Sequence, residues 1–206
     1  MIKKQKFLKK KLALVVLGRS GSGKGTQAKF ILKRLGSGVC HLETGRFLRS
    51  FIAHYSNPTV LVAKKIMKKG GILPSWFPIY TWLKRFIEEG CGNKHLVFDG
   101  APRKVLEAEI MDDVVKWHGR SLPLCIYVDV SEKEAIKRLL LRARSDDKVS
   151  AIRNRLKFFK NDVVPVVNYY KNHGRLIRVD GNPPVEKVWE QIDSALKKRL
   201  GRNWPH

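Results

Sequence analysis

Acidic side chains are scarce in this chain of 206 residues: 18 Asp and Glu stand against 42 Lys and Arg, a formal charge of +24. So one-sided a balance sets up a positive field that attracts polyanions, whether nucleotides, nucleic acid or anionic lipid. The sign gives the charge of a partner and nothing finer. Cysteine is rare as well. Cys40, Cys91 and Cys125 stand far apart with no C-x-x-C pair, which argues against a disulfide framework and a zinc site and makes a reducing cytoplasm the expected setting. Long apolar runs are missing too. The start MIKKQKFLKKKLALVVLG puts a basic stretch before an apolar one, as a signal peptide does. That run is about half a bilayer span, however, and it ends in Gly-Arg-Ser, so it reads as a first strand with no export signal. No later run crosses a bilayer, and no membrane partner is expected.

What remains is an ordinary globular composition, 43% apolar, long enough for one sizeable core with small insertions. Four short runs, LALVVLG (12–18), HLVFDG (95–100), LCIYVDV (124–130) and RLIRVDG (175–181), have the β-branched and apolar character of strands entering loops. Helical stretches lie between them. The clearest is the last, where Val185, Val188, Trp189, Ile192 and Leu196 fall on one helical stripe. This alternation predicts an α/β fold: a parallel sheet covered by helices on both faces, with ligands at the carboxyl ends of the strands. Residues 44–73 have helical character and end at a Gly-Gly pair, and residues 142–150 are short and charged; both read as insertions. The KKQKFLKKK stretch reads as a solvated tail.

The first strand runs into GRSGSGKGTQ (18–27). Gly18, Gly23 and Lys24 complete the frame G-x-x-x-x-G-K between a strand and a helix, which makes it a phosphate loop. Gly18, Gly21 and Gly23 allow successive N–H groups to turn toward one anion beside a helix N-terminus, and Lys24 adds a charge for the β and γ phosphates. The general motif places Ser or Thr after the lysine as a magnesium ligand. Here Gly25 stands there and Thr26 follows, so the hydroxyl role is displaced or shared.

Taken in order, GRSGSGKGTQ, LETGRFLR (42–49), FDGAPR (98–103) and RLLLRARSDD (138–147) ahead of IRNRL (152–156) resemble the adenylate kinase family of nucleoside monophosphate kinases, from about residue 12 to residue 200. The resemblance implies a phosphate-loop NTPase sheet flanked by helices. It also implies a division into core (1–43), helical monophosphate-binding insertion (44–73), core (74–142), short lid without metal ligands (143–151) and core (152–206). The implied reaction is ATP plus NMP giving ADP plus NDP, reversibly, with Mg²⁺ and AMP favoured. Its implied ATP site comprises Gly21, Ser22, Gly23, Lys24, Gly25 and Thr26, with Arg138 against the base. Its monophosphate site comprises Thr44, Gly45, Arg49, Gly100, Arg103 and Glu107. Asp99 would organise magnesium through water, and Arg142, Arg144 and Arg155 would converge on the transferred phosphoryl group beside Lys24 and Arg103. Asp146 and Asp147 would hold the lid arginines, and a monomer is expected. Such a transfer needs alignment and charge neutralisation more than covalent help, a task suited to the planar, permanently charged arginine fork. No general base is needed, and the six histidines have no assigned chemistry.

One position departs from the family. Where adenylate-specific members carry glutamine, this chain has Glu107. An ionised carboxylate only accepts hydrogen bonds, which suits the adenine amino group and opposes the ring nitrogen, whereas guanine offers two donors. A GMP- or CMP-preferring kinase is therefore the alternative within the family. A phosphate-loop kinase for another small acceptor, or a basic nucleic-acid-binding protein on a kinase scaffold, are alternatives outside it. The second has the charge but lacks interleaved aromatic and basic residues.

Overall fold

The structure, a computed structural model, describes residues 11–142 and 149–205. Five parallel strands lie in the order β2-β3-β1-β4-β5, namely β1 Ala13–Leu17, β2 Val39–Glu43, β3 His95–Asp99, β4 Leu124–Asp129 and β5 Leu176–Asp180. The helices are α1 Lys24–Leu35, α2 Thr44–His54, α3 Pro58–Lys68, α4 Trp76–Glu88, α5 Val105–Trp117, α6 Glu132–Arg142, α7 Val149–Phe158, α8 Val164–Asn172 and α9 Val185–Leu200.

The inner strands β1, β3 and β4 read as continuous apolar runs because both faces of the sheet are buried there. Ala13, Val15 and Leu17 of β1 join Phe98 and Cys125 in a core closed by Trp82 and Phe86 of α4, Met111 and Val115 of α5 and Tyr170 of α8. Leu14 and Val16 face the other way, into a core with Val97 and Ile126 that is closed by Ala28 and Ile31 of α1 and by α9. On α9 the expected stripe is buried at Val188, Ile192 and Leu196, while Trp189 stacks on Phe30 at 5.5 Å and Val185, in the first turn, is 40% exposed. A third, smaller cluster of Leu48, Ala63, Leu73 and Phe77 belongs to α2, α3, the loop after α3 and the start of α4, so residues 44–73 bury apolar surface apart from the sheet. The cap of α3 is local: Asn57 Oδ1 accepts the Val60 N–H at 3.0 Å ahead of Pro58.

Two sequence expectations are corrected. The strand reading found four runs and missed β2. This strand pairs on one side only, with β3, and only Cys40 and Leu42 turn inward, too short an alternation to register as an apolar run. The cysteine reading is corrected with it. Cys40 on β2 and Cys91, just after α4, form a disulfide with an S–S distance of 2.03 Å despite a separation of 51 residues. Distance along the chain hid the pair because β3, which follows Cys91, lies directly beside β2. Among the described residues no helix is long and apolar enough to cross a membrane.

The strand register sets up the site. β3 pairs Asp99 with Val16 of β1 and with Glu43 of β2, so three adjacent strands end level with one another at their carboxyl edge, where open α/β sheets bind ligands.

Candidate active site

At that edge β1 enters the glycine loop. The loop is pressed against its neighbours: a Cβ on Gly18 would stand 2.8 Å from the Val128 carbonyl oxygen, and one on Gly21, at φ +85°, 2.4 Å from that of Ala135. Glycine is required at Gly21 both by conformation and by space. Helix α1 then opens at Lys24 with no side-chain cap and no acidic residue in its first turn, leaving the positive end of the helix to an external anion.

Lys24 and Gly25 line a cleft. The same cleft is lined by Thr44, Gly45 and Arg49 at the start of α2, by Asp99, Gly100, Arg103 and Glu107 at the end of β3 and the start of α5, and by Arg142 of α6 and Arg155 and Phe158 of α7, among others. Gly45 leaves room for the Arg49 guanidinium, whose Nη1 would lie 3.3 Å from a Cβ there, and Arg49 Nη2 stands 3.7 Å from Glu43 Oε1. Arg103 Nε donates to the Gly100 carbonyl at 2.9 Å, around a cis Ala101–Pro102 peptide bond.

The electrostatics favour an anion. Burial pulls Arg103 below the ordinary arginine range; Glu107 and Asp99 oppose that shift, while Arg155 and Arg49 add to it. Guanidinium groups close enough to disfavour one another's charge are relieved by a phosphate placed among them. Glu107 is fully buried. Its Oε2 accepts the Arg103 backbone N–H at 2.7 Å, but its Oε1 has no partner, and neither has the buried Thr44 Oγ1. Burial raises the Glu107 carboxyl above its usual range, against the lowering influence of the Arg103 amide and guanidinium, of Lys104 and of the nearby Ser75 hydroxyl, which does not reach hydrogen-bond geometry with Oε1. Two orphaned oxygens on residues that line one cleft identify where a ligand's donors would be satisfied.

Gly21, Ser22, Gly23, Thr26 and Arg138 do not line this cleft. Ser22 is 2% exposed and its Oγ would meet a Cβ on Gly18 at 2.4 Å, so its side chain is part of the loop's scaffold. Thr26 is exposed. Arg138 Nη1 lies 4.0 Å from the Cβ position of Gly23, on the loop's other flank, and its guanidinium plane is set by the carbonyls of Gly181 and Asn182, both at 2.9 Å, and by Glu134 at 2.8 Å. Arg144, Asp146 and Asp147 lie outside the described residues, as do most of the expected lid and the lysine-rich tail.

Sequence reasoning missed Glu43, Met67, Pro78 and Phe158, all of which line the cleft. Glu43 was one residue short of the TG motif, and Phe158 one helical turn beyond Arg155; Met67 and Pro78 carried no local signal. No histidine of the described residues lines the cleft. His95 Nδ1 accepts the Leu12 N–H at 3.0 Å, a structural role.

The family model for adenylate kinase matches residues 16–175. An adenylate kinase of Azorhizobium caulinodans is 33% identical over 196 residues, covering 90% of this chain and 99% of the relative. Adenylate kinase 1 of Synechocystis is 35% identical, with 89% and 96% covered, and adenylate kinase of Thermus thermophilus is 34% identical with the same coverage.

Proposed function

This chain belongs to the adenylate kinase family, and on that premise we propose how a nucleoside monophosphate kinase that turns ATP and AMP into two ADP divides the work among its residues. The observation that carries the proposal is that Lys24 and Gly25 line the same cleft as Thr44, Arg49 and Arg103. A donor phosphate chain on the loop amides and Lys24 would then point at an acceptor phosphate gripped by Arg49 and Arg103. The bond formed joins an AMP phosphate oxygen to the γ phosphorus, and the bond broken is that from the γ phosphorus to the β-bridging oxygen. The attacking oxygen is already ionised, so no base is called for.

Arg142 and Arg155, with Arg144, neutralise charge on the moving group, and holding both ends in line supplies much of the acceleration. Arg138 rests against the donor base beside Gly23. Gly21, Ser22, Gly23 and Thr26 shape the loop and contribute amides, Gly100 lets backbone approach the acceptor phosphate, and Gly45 and Thr44 meet the acceptor base. For Mg²⁺ the residues fit: Asp99 is a hard oxygen donor, 7% exposed, and a Cβ on Gly25 would stand 3.4 Å from its Oδ2, so glycine leaves space beside the carboxylate. Bound there through water, the ion would neutralise phosphate charge. We divide the chain functionally at the boundaries given above, with 44–73 taking the monophosphate and 143–151 the lid. All these groups come from a single chain, which makes a monomer the proposed active unit. The Cys40–Cys91 bridge removes the cysteine argument for a reducing compartment; the cytoplasm is proposed from the nucleotide substrates alone, with the bridge, at 3% and 0% exposed, shielded by burial.

The test is a coupled assay with magnesium-ATP across AMP, GMP, CMP and UMP, repeated with Lys24→Ala. Transfer to AMP that falls at least a hundredfold in the variant, about the effect of removing one preorganised charge donor, upholds the proposal. Undiminished transfer in the variant refutes it.

A second reading is favoured by Glu107 Oε1, a buried acceptor without a donor. Guanine presents a ring N–H and an amino group to it, and cytosine an amino group. GMP or CMP would on this reading be substantial acceptors beside AMP.

A further inference from the structure

The insertion leaves α3 through Lys69, Gly70 and Gly71, and at that point it touches α7. Asn154 Nδ2 donates to the Lys69 carbonyl at 2.8 Å across 85 residues of sequence. The orientation of the amide follows from chemistry, since only its nitrogen can donate to a carbonyl. Beside this bond the two backbones meet directly. Gly70 is buried at φ +71°, and a Cβ on it would stand 2.4 Å from Ala151 O and 2.9 Å from Ala151 Cα. Ala151 and Asn154 are three residues apart, on one face of α7. The next residue is Arg155, 8% exposed, which lines the cleft together with Gly70, Gly71 and Phe158.

From this contact we propose that Asn154 is a positioning residue for phosphoryl transfer. It fastens α7, and with it Arg155, to the end of the unit that carries Arg49, so that the arginine on the moving phosphate and the arginine on the acceptor phosphate are set relative to one another. The proposal rests on the roles assigned above to Arg49 and Arg155. Asn154 itself is solvent-exposed and outside the cleft lining; it acts through its neighbour.

Steady-state kinetics with AMP and magnesium-ATP test it, using Asn154→Ala, Asn154→Gln, Arg155→Ala and the double variant, with thermal unfolding measured alongside. One neutral hydrogen bond at an exposed position corresponds to a loss of about two- to tenfold in kcat/KM for AMP. That loss is expected in Asn154→Ala at unchanged Tm, with partial recovery in Asn154→Gln, which keeps the donor. In the Arg155→Ala background the Asn154 change should cost nothing more. Gly70→Ala probes the same contact from the other side, with Gly174→Ala as its control: Gly174 has φ +64° and nothing within 4 Å of its Cβ position, so it carries the conformational cost without the clash. Gly70→Ala should lose kcat/KM and Gly174→Ala should not. Unchanged kcat/KM in Asn154→Ala, or losses that multiply in full with Arg155→Ala, overturn the proposal. Wild-type rates in Arg155→Ala would overturn instead the role of Arg155 on which it rests.

Discussion

Replacing Glu107 by glutamine changes one atom in shape and reverses one hydrogen-bonding sense. The Arg103 N–H, now held by Glu107 Oε2 at 2.7 Å, requires an acceptor, so glutamine must turn its oxygen there and present its NH₂ where Oε1 has no partner. The cleft then offers a donor in place of the acceptor that Glu107 presents when ionised. A buried hydrogen bond to a charged group contributes about 1.5–3 kcal/mol, and leaving a donor opposite a donor loses it. The ratio of kcat/KM for AMP over GMP should therefore rise by about ten- to a hundredfold in Glu107→Gln. Competition assays with both monophosphates in one vessel read that ratio directly. Stability supplies an independent reading. Burial raises the Glu107 carboxyl, so the folded protein holds a proton that the unfolded chain has released, and wild-type stability falls as pH rises from the unfolded to the folded value. Glutamine has no such dependence, so the variant should gain on the wild type in urea unfolding as pH rises through that window. An AMP-to-GMP ratio unchanged within twofold, together with parallel pH profiles, would refute the reasoning.

Arg120 offers a test of the scaffold below the site. It is 5% exposed and donates to the carbonyls of Gly92, Leu12 and Lys94 at 2.8, 3.1 and 2.7 Å; burial lowers its pKa to about 10, so it is still charged at neutral pH. Arg120→Ala leaves the carbonyls it held without that donor and should cost about 2–4 kcal/mol in urea unfolding, with KM for AMP unchanged in the folded protein. Thiol titration of the denatured, unreduced protein should count only Cys125, the free cysteine; a count of three would disprove the Cys40–Cys91 bridge.

The parts legible in the sequence were those written in contiguous residues. G-x-x-x-x-G-K is a local instruction, since a left-handed turn and a helix start need only their own few residues. The apolar runs of β1, β3 and β4 announced themselves because these inner strands are buried on both faces, whereas β5, an edge strand with only Val179 buried, showed itself by its β-branched and apolar composition. β2 did not, because its inward Cys40 and Leu42 alternate with His41 and Glu43 and leave no apolar run to read. Arg103 and Arg155 could be picked out by motif, but nothing in the motif spoke of their crowding with Arg49, which is a property of three segments brought together.

By itself the sequence determined the alternation of strand and helix, the phosphate loop at 18–24 and the family to which the chain belongs, since these depend on spacing between near neighbours. Only the tertiary structure decided that Cys40 meets Cys91, that one oxygen of Glu107 is buried without a donor, and that Asn154 reaches Lys69. Each of these is a meeting of surfaces from remote segments, governed by how helices pack on a twisted sheet, and such a meeting leaves no period or motif along the chain.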